Sequence, residues 1–103
     1  MNINQFHQLV ETQFNNIEQS LDKYAEEYDA DIDYQTNGNV LTISFENKSK
    51  IIINTQEPLF QIWMATKHQG YHFDYKDNQW ICSRSGESFD KLFNEAVTEQ
   101  LTA

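Results

Sequence analysis

Apolar side chains recur at three- and four-residue steps through Phe6, Leu9, Val10, Phe14, Ile17, Leu21, Tyr24 and Tyr28. That is the period of one helical face. No Gly or Pro interrupts residues 2–28, so the spacing predicts one long amphipathic helix there. It should fray where Glu26 to Asp33 crowd like charges. From Ile32 onward the texture changes to short runs rich in β-branched and aromatic residues. Asn37-Gly38 is a hairpin signal, because both residues tolerate positive φ. It separates an acidic strand near Asp31–Gln35 from a strand at Val40–Glu46, in which Leu41, Ile43 and Phe45 alternate. Asn47-Lys48 is a weaker turn before Lys50–Asn54, and Pro58 ends that run. Further strands are predicted at Gln61–Thr66, Tyr71–Tyr75 and Gln79–Arg84, with Asp77-Asn78 as the turn between the last two. Ser85-Gly86 closes the series. Ser88 is placed to cap a second helix with an apolar stripe of Phe89, Leu92, Phe93, Ala96, Val97 and Leu101.

The order helix, strands, helix predicts an α+β fold. Both helices lie on one face of a five- to six-stranded antiparallel sheet, a two-layer sandwich. With 103 residues the chain fits one domain, residues 1–103. Hydrophobic residues make up 39% and aromatics 14%, enough to build a core despite a net charge of −9. The single cysteine excludes an internal disulfide framework and any multi-cysteine metal site. No apolar run approaches the length of a membrane span. The first 20 residues carry Glu11 and Glu18 and no Lys or Arg, unlike a secretory or transit leader. A cytoplasmic protein is expected.

Charge adds most to this picture. Residues 1–34 hold eight acids against Lys23 alone, a balance of −7, while the remainder holds eight acids and six bases. A negative surface repels phosphate backbones, so nucleic acid is not an expected partner. Cations and basic protein surfaces are. At 100° per residue, His7, Glu11, Glu18, Asp22 and Glu26 fall on one side of the first helix, beside its apolar stripe. Asp29, Asp31 and Asp33 alternate, and in an extended segment their carboxylates would point one way. Together these would form one acidic ridge if the strand lies beside the helix. Clustered carboxylates are hard oxygen donors that suit Ca²⁺, Mg²⁺, Mn²⁺ or iron. The plain alternative is a solvated acidic face. No calcium loop or Glu-x-x-His pair marks a closed site, so metal binding here would be exposed, weak and rich in water ligands.

Other chemistry is sparse. His72 is expected to face solvent from a strand, and His7, one turn from Glu11, could join the ridge. Cys82 lies within a strand with no adjacent base and reads as a structural thiol. Alternation puts Trp63 either on the open face of the sheet or in the core, depending on register. An exposed Trp63 would be a contact hot spot.

The run Asn54-Thr-Gln-Glu-Pro-Leu-Phe-Gln-Ile-Trp63-Met-Ala-Thr-Lys67, then Gly70-Tyr-His-Phe-Asp-Tyr75 and Trp80-Ile-Cys-Ser-Arg-Ser-Gly-Glu87, resembles the bacterial frataxin family, the CyaY proteins. Leu41-Thr-Ile-Ser-Phe-Glu-Asn47 and the acidic first helix fit it too. The resemblance implies two helices on an antiparallel sheet and a non-enzymatic role in iron–sulfur cluster assembly. It implies weak binding of iron, Fe²⁺ and Fe³⁺, through the ridge. It implies docking of the same ridge on a cysteine desulfurase, with the scaffold protein as a further partner. Ferroxidase activity, or delivery of Fe²⁺ to the scaffold as an iron chaperone, is the alternative. The expected state is a monomer that iron could assemble into oligomers. Carried over, the iron-binding positions are Glu18, Asp22, Glu26, Asp29, Asp31 and Asp33, with Glu26 in a stretch slightly longer than in other members. The partner-binding positions are Glu18, Asp22, Asp29, Asp31, Asp33 and Trp63, and the resemblance favours the open face for Trp63. Gln19 and Lys23 interrupt the ridge where related sequences often carry acids. Thr55 replaces a common Arg, and Lys48 a turn Gly. Abundant Asn and Gln, with one arginine and one proline, point to a low melting temperature.

Overall fold

The computed structural model describes residues 1–102. Helix α1 spans Ile3–Glu27. Its start is fixed by a capping box: the Asn2 side chain accepts from the Gln5 N–H, and the Gln5 side chain accepts from the Asn2 N–H, both at 2.9 Å. Six antiparallel strands follow, β1 (Asp33–Asn37), β2 (Val40–Ser44), β3 (Lys50–Gln56), β4 (Gln61–Ala65), β5 (Gly70–Lys76) and β6 (Gln79–Cys82). They pair in chain order into one meander, with β1 and β6 as edges. A one-turn 3₁₀ helix at Glu57–Leu59, with Pro58 in its first turn, links β3 to β4. Helix α2 covers Phe89–Thr102 and starts where expected: the Lys91 N–H donates to Ser88 Oγ at 3.2 Å.

Cross-strand partners share a face of the sheet. Leu41, Ile43, Ile51, Ile53, Ile62, Met64, Phe73, Trp80 and Cys82 are buried on the helix side. Phe6, Ile17 and Leu21 of α1 and Phe89, Leu92, Phe93, Ala96 and Val97 of α2 close the core over them. Aromatic contacts knit the layers. Phe6 meets Trp80 edge-on at 6.1 Å, and Phe73 meets Phe89 at 4.9 Å. The expected two-layer α+β sandwich is therefore the observed fold, with six strands.

Four expectations about its edges change. Tyr28 belongs to the stripe by spacing but ends the helix instead, and it is 39% exposed. The first strand begins at Asp33 rather than Asp31, because the chain needs Asp29 to Ile32 to leave the helix and reach the sheet. The hairpin shifts with it: Asn37 pairs with Val40, so Gly38-Asn39 form the loop. Positive φ falls on Gly38 (+65°), where a type II′ turn needs it, and not on Asn37. The last strand also stops at Cys82, two residues early, because Ser83 to Ser85 turn back toward α2.

Candidate functional site: an acidic flank and an open sheet face

Glu18 and Asp22 are one turn apart on α1, on the side that overlies β1. Tyr34 and Thr36 of β1 pair with the core residues Ile43 and Leu41, so they point toward the helix. The Tyr34 hydroxyl donates to Asp22 Oδ1 at 3.0 Å. Thr36 Oγ1 donates to Glu18 Oε2 at 3.5 Å, a long contact. Strand β1 thus does lie beside the helix, but it holds these acids through hydroxyls. The Tyr34 phenol is held above its ordinary range by the hydrogen bond to Asp22, then by burial and by the charges of Asp22 and Glu18.

Asp29 and Asp31 sit lower, where α1 runs out. Asp29 has φ +49°, left-handed, directly after the helix cap. Its N–H donates to the Glu26 carbonyl at 3.3 Å, and the Ala30 N–H to the Ala25 carbonyl at 2.9 Å. These two bonds define a Schellman ending with Asp in the position that usually holds Gly. The Asp31 N–H donates to Glu46 Oε1 at 2.6 Å, which brings a third carboxylate from the β2–β3 turn to this corner. Tyr28, Asp29, Asp31, Glu46 and Gln100 line a shallow cavity there of about 380 Å³. Glu46 was missed in the sequence, where it reads as the end of a strand. Its signal was the turn at Asn47-Lys48 immediately after it.

The extended row of Asp29, Asp31 and Asp33 is not formed. Only Asp33 is in a strand, and it pairs with Ser44, which pairs in turn with Lys50. Asp33 therefore points to the face of the sheet opposite Tyr34 and the helices. Glu26 and Glu11 are exposed on α1. His7 turns away from the acids, and its Nε2 lies 2.8 Å from Glu57 Oε1. Among the described residues no three carboxylate, imidazole or thiol groups converge closely enough to hold one metal ion. The donors are hard oxygens on an exposed surface, which fits a weakly held, largely hydrated hard cation rather than a resident one. Cys82 is buried. Burial pushes its thiol up, but hydrogen bonds from Ser85 and the Arg84 backbone, with the Arg84 charge, more than offset this and leave it below its ordinary value.

The helix-free face of the sheet presents Val40, Ile52, Asn54, Trp63 and His72. Ile62 and Met64 enter the core at 0% and 1% exposure, so Trp63 takes the open register. It is only half-buried, because it packs flat on His72, its cross-strand partner, with ring centroids 4.0 Å apart and planes at 9°.

A frataxin-like domain model matches the whole chain, residues 1–103. The chain belongs to the frataxin family. Frataxin from Psychromonas ingrahamii, of the CyaY protein family, is 43% identical with a TM-score of 0.85, covering 97% of this chain and 91% of that one. Trimeric frataxin from the yeast Saccharomyces cerevisiae, complexed with ferrous iron, is 23% identical with a TM-score of 0.79, over 92% of this chain and 87% of that one. A further yeast frataxin structure is 22% identical with a TM-score of 0.78, over 99% and 85%. The yeast proteins share the fold. Frataxins are generally iron-binding proteins without a catalytic role, and among the described residues of this frataxin no helix is long and apolar enough to cross a membrane.

Proposed function

We propose that this frataxin is an iron-binding regulator of iron–sulfur cluster assembly, working in the cytoplasm as a monomeric 1–103 domain. The observation that carries the reading is the exposed acidic flank, Glu18 and Asp22 above and Asp29, Asp31 and Glu46 below, in a chain of this family. The flank holds Fe²⁺ or Fe³⁺ weakly through single and bridging carboxylates that leave most of the metal hydrated, with Glu26 at its helical end. The same carboxylates meet Arg and Lys of a cysteine desulfurase, where opposite charge steers association. Iron and desulfurase then compete for or reinforce one another on one surface, so each changes the affinity of the other. Trp63 contacts the scaffold protein from the open face. Asp33, on the edge strand but turned to that same face, lies where a partner would wrap from the flank to Trp63.

The test is the quadruple variant Asp22→Asn, Asp29→Asn, Asp31→Asn and Asp33→Asn, titrated with the desulfurase and, under anaerobic conditions, with Fe²⁺. Both bindings should weaken at least about tenfold, a change of about 1.4 kcal/mol, with the far-UV circular dichroism unchanged. Undiminished desulfurase binding refutes the docking role. Fe²⁺ that moves no flank resonance in the wild-type spectrum refutes the iron role.

A further inference from the structure

Trp63 is not a freely projecting side chain. Four residues of β4 and β5 form a two-by-two block on the open face, since Gln61 pairs with Asp74 and Trp63 with His72. The Trp63 indole Nε1–H donates to Gln61 Oε1 at 2.8 Å, and Gln61 Nε2 donates to Asp74 Oδ1 at 2.9 Å. A carboxylate only accepts. Asp74 therefore draws the amide NH₂ of Gln61 to itself and leaves the amide oxygen for the indole. The edge of Trp63 is fixed by that bond and one face by the imidazole lying parallel to it.

We propose that His72 and Gln61 are positioning residues for Trp63, and that His72 makes contact through this face respond to pH. The inference rests on reading Trp63 as a scaffold contact, and it adds a regulation to that contact. Histidine is the side chain that changes charge between about pH 5 and 8. A neutral imidazole supports the indole by stacking. A protonated one attracts the ring more strongly as a cation over a π face. It also sets a charge beside Trp63 that any partner covering the patch must strip of water. Acidification thus fixes Trp63 while weakening the contact it makes. Few charged groups lie near His72. From β4 it meets only the uncharged Trp63. On β5 the nearest ionisable side chain of the same face is Asp74, already bound to Gln61. Beyond β6, the Ser83 N–H donates to the His72 carbonyl, and Arg84 and Glu87 share a cavity of about 290 Å³ with His72.

Two-dimensional ¹H–¹⁵N spectra of the full chain test this. Trp63 and Trp80 give two indole N–H peaks, told apart by Trp63→Phe. The Trp63 peak should follow a single sigmoid between about pH 5 and 8. His72→Phe keeps a planar stack without a titrating ring, so its peak should stay near the wild-type position and lose the sigmoid. His72→Ala should displace and broaden it. A flat wild-type peak, or a sigmoid that survives in His72→Phe, overturns the proposal. Scaffold affinity should fall at least about threefold from pH 7.5 to 5.5 in wild type, from the added desolvation, but not in His72→Phe. If the spectra behave as expected and scaffold binding is blind both to pH and to Trp63→Phe, the positioning stands and the reading of Trp63 as a scaffold contact is what fails.

Discussion

Asp29 serves two ends that pull against each other. Its left-handed backbone closes α1, a position where Gly costs least, while its carboxylate contributes to the acidic corner. Asp29→Gly should therefore stabilise the fold by about 0.5–1 kcal/mol while weakening cation binding, read by urea denaturation and by Fe²⁺ titration on the same samples. Tyr34 gives a second residue-level test. Its phenol is raised chiefly by the bond to Asp22, so the stability it adds is complete below the ordinary tyrosine range and is lost as pH climbs through the higher folded value. The stability gap between wild type and Tyr34→Phe should shrink between neutral and strongly alkaline pH. Part of this scale was legible: the Ser88 cap and the place of Cys82 within a strand follow from residue type and spacing. The partners of the acids were not. That Tyr34 reaches Asp22, or that Glu46 reaches the Asp31 amide, depends on which strand face meets the helix. Alternation sorts Tyr34 and Thr36 from Asp33 and Gln35 but does not say which of the two sets faces the helix, since a one-residue slip exchanges them.

Elements were legible where their period was long and regular. Both helices and the alternating strands β2 to β6 appear within a few residues of their expected bounds. The weak element was β1, Asp-Tyr-Gln-Thr-Asn, which carries one apolar-bodied side chain in five and so gives alternation little to register against. Its register is set instead by the Gly38-Asn39 loop and the reach from Asp29 to Asp33. Helix α2 depends on its cap and on ties at its far end, where Asn47 Nδ2 donates to the Gln100 carbonyl and side-chain oxygen at 3.3 and 3.2 Å. Ser88→Ala should cost about 1 kcal/mol, with loss of amide protection confined to the first turn of α2.

For the whole molecule, magnitudes decide what holds it together. The described residues contain one ion pair, Lys91–Glu87, and two contacts, His7–Glu57 and His68–Glu99, that are ionic only when the imidazole is protonated; all three are exposed. Such pairs contribute about 0–1 kcal/mol each, whereas removing one buried phenylalanine costs about 3–5 kcal/mol. The apolar layer between helices and sheet carries the stability, and a net charge of −9 works against it. Screening should relieve that repulsion. Raising NaCl from about 10 to 200 mM shortens the screening length from about 30 to below 10 Å. The melting temperature should rise by several degrees, Mg²⁺ should act at lower concentration than Na⁺, and the low-salt value should sit at or below the usual range of about 45–65 °C. A melting temperature indifferent to salt would count against charge repulsion as the destabilising term.

Strand β1 is bonded to the sheet along one side only, through β2, and its other backbone edge is free. It is also the strand whose hydroxyls hold Glu18 and Asp22. The acidic surface is thus mounted on the part of the sheet that can peel open while the other five strands remain paired. Whatever seats itself across α1 and β1 acts as a clasp on that hairpin. Its occupancy should therefore be recorded in the rate at which the β1 amides exchange with solvent, long before it is recorded in the unfolding of the whole.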